Sequence, residues 1–214
     1  MNFSVRQIES RLAHDFILTK HYAQRLPSIS YAFGLYKNNE LVGVCTIGKP
    51  ASPFLCIGIC GKKYASKVYE LNRLITVDGL PKNTLSWFVS RVLRALRQED
   101  LVIVSYADTG MGHHGFIYQA CNFLYTGMTK ERTDKYTPNN KHSRHYTDEY
   151  NHLRKVRTAK HRYVYFTNPK NKALREALRY EVLPYPKGDN SYYKLGDRMK
   201  VKIINTKTGE VFYE

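Results

Sequence analysis

From Leu85 onward the apolar residues Leu85, Phe88, Val89, Val92, Leu93 and Leu96 recur at helical spacing, while Arg91, Arg94 and Arg97 fall off that stripe. Shortly afterwards Leu101-Val102-Ile103-Val104-Ser105-Tyr106 forms a nearly all-apolar run, the pattern of a strand covered on both faces. Another strand candidate, Val68–Val77, precedes the helix. Strand, helix and doubly covered strand in that order describe a crossover between neighbouring strands. They restrict the chain to an α/β sheet with helices on its faces.

The flanking segments extend that sheet. Tyr31–Tyr36 and Leu41–Ile47 flank Lys37-Asn38-Asn39-Glu40, a linker of hairpin length, and predict two antiparallel strands. Ser4 stands three residues before Gln7, at capping-box spacing, and Val5, Ile8, Leu12 and Phe16 predict a helix running to about Leu18. Phe54–Cys60 reads as a strand paired with Val68–Val77 across the basic bend Gly61-Lys62-Lys63. Asn83 or Thr84 is expected to cap the long helix, a short helix should span His113 to Cys121, and Phe123–Thr126 is a last strand candidate. The sum is a mixed sheet whose ligand enters beside the carboxyl ends of Val68–Val77 and Leu101–Tyr106. That makes Asp78–Thr84 and Ala107–His113 the prime site loops.

Charge narrows the partners. Thirty-four Lys and Arg oppose eighteen Asp and Glu, a net charge of +16, while 43% of the residues are hydrophobic. That balance excludes a disordered chain and predicts a folded, anion-seeking one. The apolar stretches fall far short of the roughly 18 residues of a membrane span, and Met1–Arg6 lacks the apolar block of a secretory leader. A cytoplasmic, non-membrane protein is the expectation. Cys45, Cys56, Cys60 and Cys121 lie in apolar segments without a CxxC pair or zinc-finger spacing and read as reduced core residues.

Residues 129–180 hold fourteen Lys and Arg against five Asp and Glu, together with four of the eight histidines and six tyrosines. This predicts a catalytic core over 1–128 and a basic, Tyr- and His-rich nucleic-acid-binding extension over 129–214, packed on the core. Arg144, Arg154, Lys155, Arg157, Lys160 and Arg162 are the candidate phosphate contacts. Tyr163, with Tyr136, Tyr146 and Tyr150, is a candidate to stack on exposed bases. A charge run also describes a solvated face, and charge does not distinguish DNA from RNA.

Glu70–Val77, the turn Asp78–Thr84 and the helix beyond resemble the acyl-CoA site of the GCN5-related N-acetyltransferases. In that superfamily the central strand supplies backbone groups to the pantetheine arm, and a glycine-rich turn with the helix start cradles pyrophosphate. Here Lys82, Asn83 and Thr84 stand where those glycines would be. Tyr118-Gln119-Ala120-Cys121-Asn122-Phe123 is similar to the superfamily's tyrosine, three spacers, glycine and phenylalanine, with Asn122 in the glycine's place. Asparagine tolerates the left-handed turn after a helix. The resemblance implies a GCN5-related N-acetyltransferase-like mixed central sheet flanked by helices, with a basic C-terminal extension. It also implies an acyl-CoA donor and a Tyr118 hydroxyl near the thioester sulfur as general acid.

The wider set of His21-Tyr22, Glu70–Leu74, Pro81–Phe88, Tyr106–Thr109 and Gly115–Gly127 resembles the Mom family of phage DNA modification proteins over about residues 15–187. Members are GCN5-like proteins that convert adenine in DNA to N6-carbamoylmethyladenine, shielding phage DNA from host restriction. The resemblance implies double-stranded DNA as partner, Asp108 orienting or deprotonating the amine, and Tyr118 assisting the leaving group. It implies an active-site contribution from His21 and Tyr22, with His21 a candidate toward a metal, although one histidine does not make a metal site. Asn72, Arg73, Lys82, Asn83, Thr84 and Ser86 are cofactor-binding candidates. Arg73, on an apolar strand, either points to solvent, joins an ion pair or binds an anionic donor. Asp108 alternatively caps the next turn, and His113-His114 read as a solvated loop.

Donor chemistry stays open. Acetyl transfer forms an amide, whereas carbamoylmethylation forms an N–CH2 bond. Acyl-CoA, an aminoacyl-tRNA such as glycyl-tRNA, which would add tRNA as a partner, and help from a redox metal are the alternatives. The rival functions are an acyltransferase acting on RNA, protein or a small amine, and a non-catalytic nucleic-acid-binding module.

Overall fold

The structure is a computed structural model that describes residues 2–21, 25–138, 146–189 and 200–214. Its elements run β1 (Phe3–Gln7), α1 (Ser10–Lys20), β2 (Tyr31–Lys37), β3 (Glu40–Gly48), α2 (Pro53–Tyr64), β4 (Val68–Thr76), α3 (Thr84–Ala95) and β5 (Val102–Asp108). They continue with α4 (Phe116–Ala120), β6 (Leu124–Met128), β7 (Arg132–Lys135), β8 (Leu153–Arg157), β9 (Lys160–Phe166), α5 (Lys172–Glu176), β10 (Lys202–Asn205) and β11 (Val211–Tyr213). Seven strands form a mixed central sheet in the order β1-β2-β3-β4-β5-β9-β6, in which β4 and β5 run parallel and the other neighbours antiparallel.

Helix α3, the crossover between the parallel pair, buries Phe88, Val89 and Val92 completely in a cluster with Leu71, Ile103 and Phe123. Burying each such side chain contributes about 1.5–3 kcal/mol. Val102 and Val104, alternating with Ile103, pack on the opposite face with Cys56, Ile59 and Cys60 of α2. The doubly covered strand expected at Leu101–Tyr106 is therefore β5. Asn38 and Asn39 both adopt positive φ, as the two-residue turn of the β2–β3 hairpin requires.

Three local expectations are corrected. Residues 3–7 do not open a helix. They form β1 and pair from Phe3↔Lys37 to Gln7↔Phe33, because the edge of β2 offers a ladder that a short isolated helix cannot match. Helix α1 then begins at Ser10 and buries Ala13 and Ile17. Phe54–Cys60 is helical: Pro53 sits in the first turn, and Cys56, Ile59 and Cys60 recur at helical spacing on the buried face. A short apolar run does not separate these alternatives by periodicity alone. Neither Asn83 nor Thr84 caps α3 through its side chain. Asn83 is left-handed at φ 67°, and Thr84 Oγ1 instead donates to Pro81 O at 2.7 Å.

Strands β7, β8, β10 and β11 build a second sheet in the order β11-β10-β8-β7, with Tyr136, Leu153, Val201 and Ile203 in its core. The sheets do not divide at residue 128. Strand β9 inserts between β5 and β6 and completes the central sheet, so the late basic segment belongs partly to the core. All four cysteines are buried thiols. Among the described residues no helix is long and apolar enough to cross a membrane.

The parallel ladder is short. β4 pairs with β5 only through Val68–Glu70 against Val102–Val104. At its end Ser105 Oγ donates to Leu71 O at 3.0 Å. Beyond that point β4 stays paired with β3 as far as Thr76, and β5 with β9 as far as Asp108. The two central strands part, and the sheet opens between them.

A candidate active site between the parting strands

The opening is a cleft of about 430 Å³, the size of a small-molecule site. Glu70–Thr76 form one wall and Tyr106–Asp108 the other. His21, Asp78, Leu85, His113–Tyr118 and Lys160 complete the lining. Both anticipated loops reach it, through Asp78 and through Ala107, Asp108 and His113. Asp108 and Tyr118, picked from the sequence as the leading pair, line the same cleft.

Asp108 ends β5 and is 5% exposed. Its Oδ2 lies 2.8 Å from Lys160 Nζ, while Oδ1 accepts from Gly110 N–H at 2.9 Å and from Thr158 Oγ1 at 2.5 Å. Burial pushes its carboxyl up, but the Lys160 and Thr158 hydrogen bonds, the Lys160 charge and the Gly110 N–H together hold it below the usual range. The capping alternative is thus realised together with an ion pair. Tyr118 sits on α4 with its ring against Phe123 and Tyr163, at centroid distances of 5.3 and 5.4 Å. Asn122 takes φ 59° after that helix, the turn expected of it.

Glu70 is the carboxyl that sequence reasoning passed over. It lines the cleft and makes no side-chain hydrogen bond or ion pair among the described residues. Burial raises its pKa, opposed by the charges of Arg73 and Lys160. Tyr106, on the opposite wall, has its phenol pushed up by burial and by the charge of Glu70. The available signal was an acid within an otherwise largely apolar strand leading to a site loop. His21 is buried, and burial followed by the Arg73 charge lowers its pKa to about 3, which keeps it neutral. Among the described residues no group of three or more His, Cys, Asp or Glu is placed to hold a metal. Tyr22 and Arg144 lie outside the described residues.

The cofactor candidates separate. Arg73 and Asn72 line the cleft, and Arg73 donates to the carbonyls of Asn72 and Arg25 at 2.6 and 2.8 Å. Asn72 accepts from Thr46 Oγ1 at 2.7 Å and donates to Ser28 O at 2.8 Å, so both its polar ends are engaged internally. Lys82, Asn83, Thr84 and Ser86 stand outside the lining, and Ser86 Oγ turns back to Asn83 O at 3.1 Å. His114 is not a solvated loop residue. Its ring packs against Gly188 and 5.6 Å from the His161 ring.

The basic segment also divides. Tyr163 is fully buried, donates its hydroxyl to His114 O and accepts from Gln119 at 3.1 Å. It cannot stack on a base, because β9 is an interior strand. Tyr136 is buried in the small sheet with Tyr150 against it. Arg162 turns inward too, bonding Thr126 Oγ1 at 2.9 Å and Thr126 O at 2.7 Å and lying 3.4 Å over the Tyr180 ring. Arg154 and Arg157 lie on β8, Arg157 paired with Asp134 at 2.8 Å, and Lys155 lies between them. Lys160 is drawn into the cleft.

A cleft at the carboxyl ends of parting parallel strands, walled by carboxyls, phenols and a lysine, defines an α/β protein with a site equipped for proton transfer. The chain belongs to the Mom protein family, whose model matches residues 2–187. It is 29% identical over 200 residues to the methylcarbamoylase Mom of Escherichia phage Mu, covering 86% of this chain and 83% of that one. Similar solved structures include an N-acetyltransferase from Staphylococcus aureus Mu50, with TM-score 0.48 and 13% identity over 78% of this chain and 100% of that one. An acetyltransferase of Bacillus subtilis in complex with CoA gives TM-score 0.43 and 12% identity over 77% of this chain and 99% of that one.

Proposed function

We propose that this protein is a transferase that converts adenine in phage DNA to N6-carbamoylmethyladenine and thereby protects that DNA from host restriction. The observation that carries this reading, beside family membership, is that the small-molecule-sized cleft holds Lys160, the first residue of β9, three residues after the basic strand β8. The adenine amino group is stacked within the duplex and weakly nucleophilic, so the base leaves the stack to enter the cleft.

The chain's own residues divide the work. Glu70 takes the proton that the amine loses as the nitrogen–carbon bond forms. A carboxyl whose pKa is raised by burial and that is bound to no side-chain donor is a stronger proton acceptor than one held by donors. Tyr118 delivers a proton to the departing group of the donor. Beyond Glu70 the edge of β4 that faces β5 carries backbone groups outside any ladder, which suit the amides of an extended donor arm. The donor must present an electrophilic methylene carbon whose leaving group departs with the proton from Tyr118, because attack at the carbonyl of a CoA thioester or an aminoacyl-tRNA would instead release the thiol or the tRNA and leave an amide on N6.

Mass spectrometry of nucleosides from DNA of cells expressing the protein tests the reading. Deoxyadenosine bearing one carbamoylmethyl group is expected, and its absence with folded protein present would overturn the proposal.

A further inference from the structure

Lys160 opens β9 directly after Thr158 and Ala159, the turn that follows β8. Its Nζ lies 2.8 Å from Asp108 Oδ2, and its side chain, 39% exposed, lines the cleft. The turn is clamped there. Thr109 donates to Ala159 O through its N–H at 3.2 Å and its hydroxyl at 2.7 Å. Lys160 N–H donates to Thr129 Oγ1 at 3.0 Å, and Thr129 N–H returns to Lys160 O at 2.9 Å. With Thr158 Oγ1 and Gly110 N–H on Oδ1, both oxygens of Asp108 are committed to holding this turn. A carboxylate so engaged is a poor proton acceptor.

An ammonium has three donors. Asp108 receives one, and the Lys160 side chain makes no other hydrogen bond among the described residues. Just before it in the chain β8, a strand of the second sheet, carries Arg154, Lys155 and Arg157. Of the cations in residues 153–160, Lys160 is the one that lines the cleft.

We propose that Lys160 binds a phosphodiester oxygen flanking the adenine that enters the cleft, and that Asp108 is a positioning residue that holds the ammonium there. This deepens the DNA-modification reading and rests on it. Fixing one phosphate beside the cleft sets the reach from the gripped backbone to the reacting base, which long-range attraction alone does not do. Phosphate of the donor is the competing source of the same chemistry.

Binding separates the inference from the reading beneath it. A duplex with a single A·T pair is prepared with a neutral methylphosphonate at each phosphate flanking the adenine in turn, or at a distant one. It is titrated against the intact chain and Lys160→Gln. One flanking replacement is expected to weaken wild-type binding about ten-fold and to leave Lys160→Gln unaffected, with the variant itself about ten-fold weaker on unmodified duplex. The distant replacement should affect both proteins equally. Equal losses in both proteins at every position overturn the assignment, as does a Lys160→Gln defect confined to saturation by donor. A wild-type chain that does not bind duplex overturns the DNA reading as well.

For Asp108, Asp108→Asn is expected to reduce the flanking-phosphate effect and Asp108→Glu to restore part of it. The acid limb of the modification rate should persist in Asp108→Asn. Loss of that limb would make Asp108 the proton acceptor and overturn its positioning role. Should Asp108→Asn fail to fold, the partly exposed Lys160 position still decides the phosphate contact.

Discussion

The buried Tyr163 ring lies against the α-carbon of Gly115, so a methyl group there would collide with the ring. Gly115 also adopts φ 81°, and the Tyr163 hydroxyl bonds the preceding residue's carbonyl. This contact joins interior strand β9 to the start of α4, the helix that carries Tyr118 into the cleft. Gly115→Ala is expected to cost roughly 1–3 kcal/mol in chemical denaturation through overpacking and the left-handed backbone. Tyr163→Phe should cost about 1 kcal/mol while leaving duplex affinity unchanged. A selective loss of DNA binding in Tyr163→Phe would restore a base-stacking role.

Glu70 carries opposed consequences for activity and stability. Its raised pKa places the acid limb of the rate above the ordinary carboxylate range, with activity rising as pH rises through that value. Glu70→Gln is expected to lose about 10²–10⁴ of the rate, measured by nucleoside mass spectrometry. The folded state favours the protonated acid, so the wild type loses stability as pH rises from the unfolded value through the raised one. Glu70→Gln should therefore unfold at a higher temperature than wild type at neutral pH.

His21 makes the opposite demand on pH. Its folded pKa of about 3 lies below the ordinary 6.5, so the unfolded chain binds the proton first. Stability should fall as pH drops from about 6.5 toward 3, and His21→Gln should flatten part of that slope in thermal melts followed by circular dichroism. An unchanged slope would place the buried neutral imidazole elsewhere.

The arginines of the late basic segment are expected to behave unlike one another. Arg154→Ala should reduce the salt dependence of duplex binding by roughly 0.9 in log–log slope, and Arg157→Ala by less, because its guanidinium is already paired with Asp134. Arg162→Ala should leave that slope unchanged and lower the melting temperature, because its guanidinium is held by Thr126 and Tyr180. Anisotropy titrations at several salt concentrations distinguish the two kinds of arginine.

Much of the cleft's frame was legible in the chain. The stripe from Leu85, the covered run before Asp108 and the paired asparagines at 38 and 39 are local periodicities and turn requirements, and α3, β5 and the β2–β3 hairpin follow them. The pairing of Asp108 with Tyr118 came from the family resemblance, as a strand-end residue and one on the helix that follows, and both line the cleft. What local pattern could not express was long-range pairing. Residues 3–7 became a strand because β2 lay beside them, and Phe54–Cys60 became a helix because its apolar face met the sheet. Tyr163 and Arg162 share one charge run with Arg154, yet the insertion of β9 between β5 and β6 turned them inward. The same insertion carried Lys160 to Asp108, 52 residues earlier in the chain. Side-chain periodicity is set by neighbours a few residues apart, whereas which strand lies between which others depends on burying the whole sheet at once. That packing decided which cations meet solvent and which one enters the cleft.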